Sequence, residues 1–508
     1  MKKAFDNCAL VLFSVTILVP FFYFLASSLL SFNVSALNIT FFWILLRAWF
    51  AGFVQAALSA TFVCILASFF ALSLLQIHPQ KQLLFSKLNS GLGRLYFVLP
   101  GTVLSLVFLT LPKWLTDPLS GWPLIVAAHT FWSLLLMSDL LHRKLAAWLN
   151  HEGRDLLCVA QTLGASPLQA TQNVLWPYLK TELREIFVLV FVWSFGAFST
   201  VFLLGKGPQH STLEVLTYYT LFNDLDSTRL FILVLMNLLT QIFVLKKFYL
   251  DARSQGLASQ QISLEKSQPI HLGLPKSAFL AVLFTLFFAI ALLAKHLLGL
   301  GLDPTAFSEL QLESSLWNSL RYALSASLMG LLLGFLISGM STQVRRSLLV
   351  LFAISPMVLA ALWSQIRLEF FPFLESSLTL SAFALCLSQV PLLALWIDSS
   401  LSNLDSSHET YLNTLGLSPL QKFLRFRLPY LRDVLFQTQV LLFSLALGDL
   451  VMSSSFAPRD LILSQLARKL SQSYAFDGAS WVLISTLALI GIWILFLDSF
   501  KKFLARNT

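Results

Sequence analysis

Charge is what this sequence has least of. Only 12% of its 508 residues are Asp, Glu, Lys or Arg, against about 25% in an ordinary soluble domain. With 57% hydrophobic residues and a mean hydropathy of +0.76, a soluble fold could not cover its own surface. Lipid is therefore the solvent for most of the chain. Cysteine is scarce too. Cys8, Cys64, Cys158 and Cys386 are scattered and form no CxxC pair, which excludes a disulfide framework and a zinc site. They read as small buried hydrophobes. None of the eight histidines forms an HExxH pair, and no carboxylate–histidine cluster appears, which argues against a membrane enzyme. A GxxxxGK[ST] phosphate loop is also missing. Gly205-Lys206 comes nearest, but Gly207 follows it and position 200 is Thr. Any ATP used with this chain is bound by another polypeptide, so no cofactor and no metal is expected on it.

What the chain has is apolar runs. A membrane helix needs about 20 mostly apolar residues, and twelve stretches qualify. In the first half they lie near 8–30, 49–76, 92–112, 122–141, 186–205 and 229–249. In the second they lie near 277–300, 317–340, 347–366, 377–398, 433–453 and 480–499. The first run follows Met1-Lys2-Lys3 but is long for a secretory signal, so it reads as an uncleaved span. With the N-terminus inside, most of the 34 lysines and arginines fall on the inner side, which places both termini in the cytoplasm. The same basic loops account for the net charge of +9 through an anionic leaflet, with no nucleic-acid partner. Residues 250–276 are rich in Ser, Gln and Lys and read as a cytoplasmic linker. It joins a first membrane-spanning half, 1–249, to a second, 277–508. The expected fold class is all-α: a polytopic membrane protein of about 12 transmembrane helices in two parallel six-helix repeats.

One semi-polar segment occurs twice. Residues 161–179, QTLGASPLQATQNVLWPYL, and 413–431, NTLGLSPLQKFLRFRLPYL, share ten of 19 positions without a gap. Each copy sits on the cytoplasmic side between the fourth and fifth spans of its half. Gly164 and Gly416 suit a left-handed helix end. Ser166 and Ser418 suit an N-cap, and Pro167 and Pro419 a first helical turn. Pro177 and Pro429 disfavour helical geometry at the residue before them. Each copy thus reads as helix, glycine elbow, short helix and proline stop. The short helix carries Gln169, Gln172 and Asn173 in one copy and Gln421, Lys422 and Arg425 in the other. It is too polar for lipid and too short to stand alone. It docks either on another protein or on its own bundle.

The spacing resembles the EAA loop of ABC-importer permeases: Glu-Ala-Ala, three residues, Gly, nine residues, a branched apolar residue, one residue, Leu-Pro. Both Gly-to-Pro intervals here are 13. The Glu-Ala-Ala positions hold Cys158-Val159-Ala160 and Thr410-Tyr411-Leu412, Glu409 is one residue off register, and Trp176 replaces the Leu before the first Pro. The glycine, the spacing and the proline carry the resemblance; the glutamate does not. It implies that Gly164, Ala165, Ser166, Pro167, Gln169 and Pro177, with Gly416, Ser418, Pro419, Gln421, Lys422 and Pro429, couple the chain to two copies of a cytoplasmic ATP-binding subunit. A periplasmic substrate-binding protein is the other implied partner, and a bacterial inner membrane the implied location.

Six plus six helices in one chain resemble the fused permeases of thiamine and iron(III) importers. GKGPQHSTLEVLTYYTLFNDLD (205–226) is similar to the GGGPQ-TT-IE-AIYQAL--D-D pattern of thiamine permeases. LALGDLVMSSSFAPRDLILSQLARKLSQSYAFDGA resembles their S-GD-G----F----F-TLP--LY----SYR--DGA. The resemblance implies a permease for a small solute, thiamine or alternatively iron(III). An ion-coupled carrier is the rival class, but it needs more membrane-embedded acids than this chain offers.

Polar residues inside spans are the candidates for the path. Asp449 lies about 30 Å along a helix from Pro429, at the outer end of the eleventh span. It reads either as a cation-attracting path residue or as a helix-end acid facing water or Arg459. Its first-half counterpart is Ala197. His129 and Trp132 are three apart on the fourth span and could line a cavity or pack. Trp193 stands beside Ser194 in the fifth span and reads either as a path residue or as an interhelical contact. Asn237 with Gln241, and Gln389 with Gln437, read as interhelical hydrogen-bonders. Asp139 has Arg143 four residues on as a pair.

Overall fold

The computed structural model describes residues 2–75, 101–109, 121–205, 210–224, 226–246, 311–371, 376–402, 416–472 and 476–507. Every regular element among them is a helix. The chain is an all-α polytopic membrane protein. Seven helices are long and apolar enough to cross a membrane, or nine if each of two bent pairs is one span. The linker 250–276, the expected span 277–300, residues 409–412 and the ends of the expected span 92–112 lie outside the described residues.

The first half runs α1 (Lys3–Leu30), α2 (Ile39–Leu75), α3 (Gly101–Leu109), α4 (Trp122–Trp148), α5 (Arg154–Thr162), α6 (Pro167–Ala170), α7 (Trp176–Phe195), α8 (Ser199–Leu204), α9 (Leu213–Tyr219) and α10 (Ser227–Val244). The second runs α11 (Leu312–Gly339), α12 (Thr342–Ser347), α13 (Pro356–Phe370), α14 (Leu378–Ser388), α15 (Val390–Ser402), α16 (Pro419–Lys422), α17 (Leu428–Gly448), α18 (Val451–Phe456), α19 (Leu463–Gln472) and α20 (Phe476–Asn507). The halves repeat each other: α2 packs on α4 and α7, and α11 packs on α14 and α17.

Small residues set these contacts, as expected where lipid supplies no hydrophobic drive between helices. Ala48, Ala51, Gly52, Ala56 and Ala60 are buried on α2. On α11, Gly330 and Gly334 face α17. A Cβ at Gly330 would stand 1.8 Å from Leu442 Cδ1, and one at Gly334 2.9 Å from Leu435 Cδ2.

Three expected spans are broken, each for a local reason. The stretch 347–366 bends by 88° between Ala353 and Pro356. There Ser355 leaves helical geometry and its Oγ accepts from Val358 N at 3.2 Å, starting a new helix on Pro356. The stretch 377–398 bends by 47° at Gln389, two residues before Pro391. The stretch 186–205 stops at Phe195 and restarts at Ser199. The second span starts ten residues earlier than expected because Arg47 lies within α2 rather than ending it. The cysteines also depart from expectation. Only Cys386 is buried, while Cys8 and Cys158 are exposed; Cys8 lies on the first span, and Cys158 on the polar helix before the first elbow.

The two halves are clasped rather than merely adjacent. α1 packs on α10 of its own half and also on α11 and α13 of the other. Ser27 Oγ donates to Gln365 Oε1 at 2.9 Å, Trp363 Nε1 to Thr16 O at 2.9 Å, and Ser341 N to Asp6 Oδ1 at 2.8 Å. Tyr23 hydroxyl donates to Glu369.

Candidate translocation cavity and coupling elbows

Each elbow starts with a glycine in left-handed geometry, φ +89° at Gly164 and +65° at Gly416. No atom lies within 4 Å of where their Cβ would be, so backbone conformation alone calls for glycine. At the first elbow Ala165 N donates to Ala160 O at 3.0 Å, the long bond of a Schellman ending. The shared SPLQ then forms a reciprocal cap. Gln169 N donates to Ser166 Oγ at 3.3 Å while Ser166 N donates to Gln169 Oε1 at 2.9 Å. The second copy repeats it, Gln421 N to Ser418 Oγ at 3.3 Å and Ser418 N to Gln421 Oε1 at 3.0 Å. This is a capping box with Gln in the fourth place. Sequence reasoning took both glutamines for surface polarity, although the Ser-x-x-Gln spacing carries the signal.

The proline stop expected at Pro177 and Pro429 does not occur. Trp176 is helical, with φ −60° and ψ −41°, and the short helix runs straight into α7. A π turn, Thr171–Leu175, intervenes, with Trp176 N donating to Thr171 O. The second copy has the π turn Phe423–Arg427, with Leu428 N donating to Phe423 O. A third case in α1, Ser14–Leu18, precedes Val19-Pro20 in the same register. The wider turn absorbs a residue whose missing N–H and bulky ring would break a regular α-helix.

The elbows are anchored on one side and open on the other. Ala170, Leu175 and Phe423 are buried, and Phe423 packs on Phe5 and Phe335. Leu163 is 82% exposed, and Val159, Leu168 and Trp176 about half. Exposed apolar residues thus gather around the capped polar turn of the first elbow. Behind the first elbow, Lys144 Nζ joins Glu182 and Glu185, each at 2.6 Å, and Trp148 stacks on Tyr178. These contacts tie α4 to the start of α7.

Between the halves lies a cavity of about 220 Å³. His129, Trp132, Trp193 and Asp449 all line it, together with Gly196-Ala197 and Gly448. Gly196 and Gly448, each at the end of its helix, occupy equivalent positions 252 residues apart, like Gly164 and Gly416. Trp132 and Trp193 lie 6.1 Å apart between ring centroids. His129 is buried, and its Nε2 has no hydrogen-bond partner among the described residues.

Asp449 lines the cavity without offering a free carboxylate. Its Oδ1 accepts from Val451 N and Met452 N, each at 3.1 Å, and its Oδ2 from Ser453 N and the Tyr322 hydroxyl, each at 2.8 Å. It caps α18 rather than facing water or Arg459. Gln241 and Gln389 reach the same cavity. Behind Gln241 runs a polar chain of which sequence reasoning named Asn237 and Gln241 but missed Glu214: Gln241 Nε2 donates to Asn237 Oδ1, and Asn237 Nδ2 to Glu214 Oε1, both at 2.6 Å. Glu214 is wholly buried; its only sequence signal is a lone acid in the apolar run LEVLTYY. Asp139 pairs with Arg143 at 3.0 Å, as expected.

Fold, cavity and elbows together define a class: an all-α membrane protein of two repeated halves around one central space, with a rigid elbow beneath each. The chain is similar to the thiamine transport system permease protein ThiP of Haemophilus influenzae, 26% identical over 510 aligned positions that cover 90% of each chain. It is also similar to ThiP of Escherichia coli, 25% identical over 405 residues, 75% of this chain and 73% of that one. ThiP of Brucella suis is 24% identical over 380 residues, 71% of this chain and 68% of its own. No family model and no solved structure matches the chain.

Proposed function

We propose that this chain is the permease subunit of a thiamine ABC importer. The observation that carries the reading is the elbow built twice, with the same glycine geometry, the same Ser-Gln cap and the same π turn before proline. Two elbows fit two copies of a cytoplasmic ATP-binding subunit, which would bind the ATP. A periplasmic binding protein would deliver the solute to the outer side. Both termini and the elbows lie in the cytoplasm of a bacterium whose inner membrane holds the chain.

The cavity fits the proposed cargo in chemistry. Thiamine carries a thiazolium cation and an aminopyrimidine ring. Two indoles offer faces to a cation, and the Gln241 and Gln389 amides offer hydrogen bonds to the pyrimidine. At about 220 Å³ the space is smaller than the roughly 300–1,000 Å³ of an ordinary ligand pocket. Transport then requires the halves to part as the ATPase subunits close and open beneath them. Iron(III) has no counterpart among the relatives named above, and no observation favours it.

The test is Gly164→Asp and Gly416→Asp, each assayed for co-purification of the ATP-binding subunit and for ATP-driven uptake of labelled thiamine. Each variant is expected to lose both while the chain still inserts. Normal assembly and uptake in both would overturn the coupling assignment. Uptake of a different solute by the intact complex would overturn thiamine alone.

A further inference from the structure

The basic residue Arg425 replaces Asn173 of the first elbow, and coupling does not account for the difference. Arg425 lines a groove on the outer face of the second half, between α11, α17 and α20. The groove has a volume of about 1020 Å³, far larger than the central cavity. Its walls are Leu, Phe and Trp side chains, with Arg425 and Arg432 at one end. We propose that this groove is a binding site for an anionic glycerophospholipid of the cytoplasmic leaflet.

Dimensions and charge both point to that occupant. From Leu324 to Phe335 the α11 wall runs about 17 Å at 1.5 Å per residue. One leaflet of a roughly 30 Å hydrocarbon core is about 15 Å deep. Phe335 stands at the same end as Arg425 and Arg432, because α11 descends toward the cytoplasm while α17 rises from it. The acyl chains would lie along the apolar wall and the phosphate would meet the two guanidiniums. Arg425 is exposed and makes no ion pair among the described residues. Arg432 Nε lies 3.7 Å from Asp433, too far for a hydrogen bond, and has no hydrogen-bond partner among the described residues. Asp433 is instead taken by Lys501 Nζ at 2.8 Å. The site thus combines a leaflet-deep apolar slot with cations at headgroup level, as basic pockets between helices on the cytoplasmic side do.

The site also adjoins the coupling machinery. Arg425 belongs to the π turn that joins the second elbow to α17, and Arg432 to the first turns of α17 itself. A bound phosphate would bridge elbow and span in the second half alone. In the first half the ion pairs nearest the elbow, Lys144 with Glu182 and Glu185, join α4 to α7 instead.

Native mass spectrometry of the full chain, released from detergent with equal phosphatidylglycerol and phosphatidylethanolamine of the same acyl chains, tests the proposal. The wild-type chain is expected to retain phosphatidylglycerol preferentially. R425Q/R432Q is expected to lose that preference by on the order of tenfold, and R425K/R432K to keep most of it. Leu331→Trp, which fills the slot, should lower retention of both lipids. Equal retention of the two lipids by the wild-type chain, or an unchanged preference in R425Q/R432Q, would make the groove an ordinary annular surface and overturn the proposal. So would equal loss in the lysine variant, or a second copy of the chain cross-linking to Leu331→Cys. Thiamine plays no part in the assay, so the outcome is independent of the transported solute.

Discussion

At the scale of single residues, Asp449 shows how a cavity-lining residue can be a structural one. An acid in a membrane protein invites a functional reading, and Asp449 does line the central space. Yet its oxygens are committed to three backbone N–H groups and a tyrosine. Asp449→Asn would turn an amide NH2 toward one of those donors. The expected loss is about 1.5–3 kcal/mol of stability, the range for hydrogen bonds to a charged group, read as a lower melting temperature. The KM for thiamine should change little. A raised KM at unchanged melting temperature would instead make Asp449 a substrate ligand. The two tryptophans and Gln241 are better placed to touch a solute, since their faces and amides border the cavity without capping a helix.

At the scale of elements, the π turn before proline decides how each elbow points. One residue more or less in a helix rotates everything beyond it by about 100°. Pro177→Ala restores an N–H and removes the ring, so a regular α-helix can replace the widened turn. The elbow would then swing around the axis of α7. The expected result is a fold of unchanged stability with reduced ATPase co-assembly and uptake. Unchanged coupling would mean that the turn is held by packing of Ala170 and Leu175 instead. The capping boxes serve a related end. By closing the N-terminal end of the restarted helix, Ser166 with Gln169 and Ser418 with Gln421 fix where each elbow begins in a segment too short to be helical alone.

At the scale of the whole molecule, the halves are repeated but not independent. α1 crosses to the second half and is pinned there by Ser27–Gln365, Trp363–Thr16 and Ser341–Asp6. A motion started at one elbow is therefore shared. Ser27→Cys/Gln365→Cys, bridged by a short bis-methanethiosulfonate cross-linker, should leave uptake intact, because this contact lies on the clasp and not on the opening cavity. Loss of uptake on cross-linking, recovered on reduction, would show that α1 slides on α13 during transport.

Composition and hydropathy were enough to read a helical membrane protein, and the segment written twice was enough to read the glycine turn of each elbow. Low charge leaves lipid as the only adequate solvent, and Gly followed by Ser-Pro dictates a left-handed ending and a capped restart wherever it occurs. His129 and Asp449 were also legible as polar groups within apolar spans. Three things were not. The bends at Ser355 and Gln389 look like continuous apolar runs, since hydropathy averages over the capping residue that breaks them. The passage of helix through Trp176-Pro177 reversed the local expectation, because a π turn costs little when packing of the adjacent span holds it. Glu214 was invisible until Asn237 and Gln241 closed on it from another helix.

The sequence by itself therefore determined the solvent, the repeated segment and the left-handed glycine of each elbow, because these follow from composition and from residues adjacent in the chain. Only the tertiary structure decided that His129, Trp132, Trp193 and Asp449 share one space, that Asp449 is spent on a cap, and that α1 clasps the opposite half. Those facts depend on which helices meet. That is set by small-residue contacts such as Gly330 on Leu442, whose partner lies more than a hundred residues away.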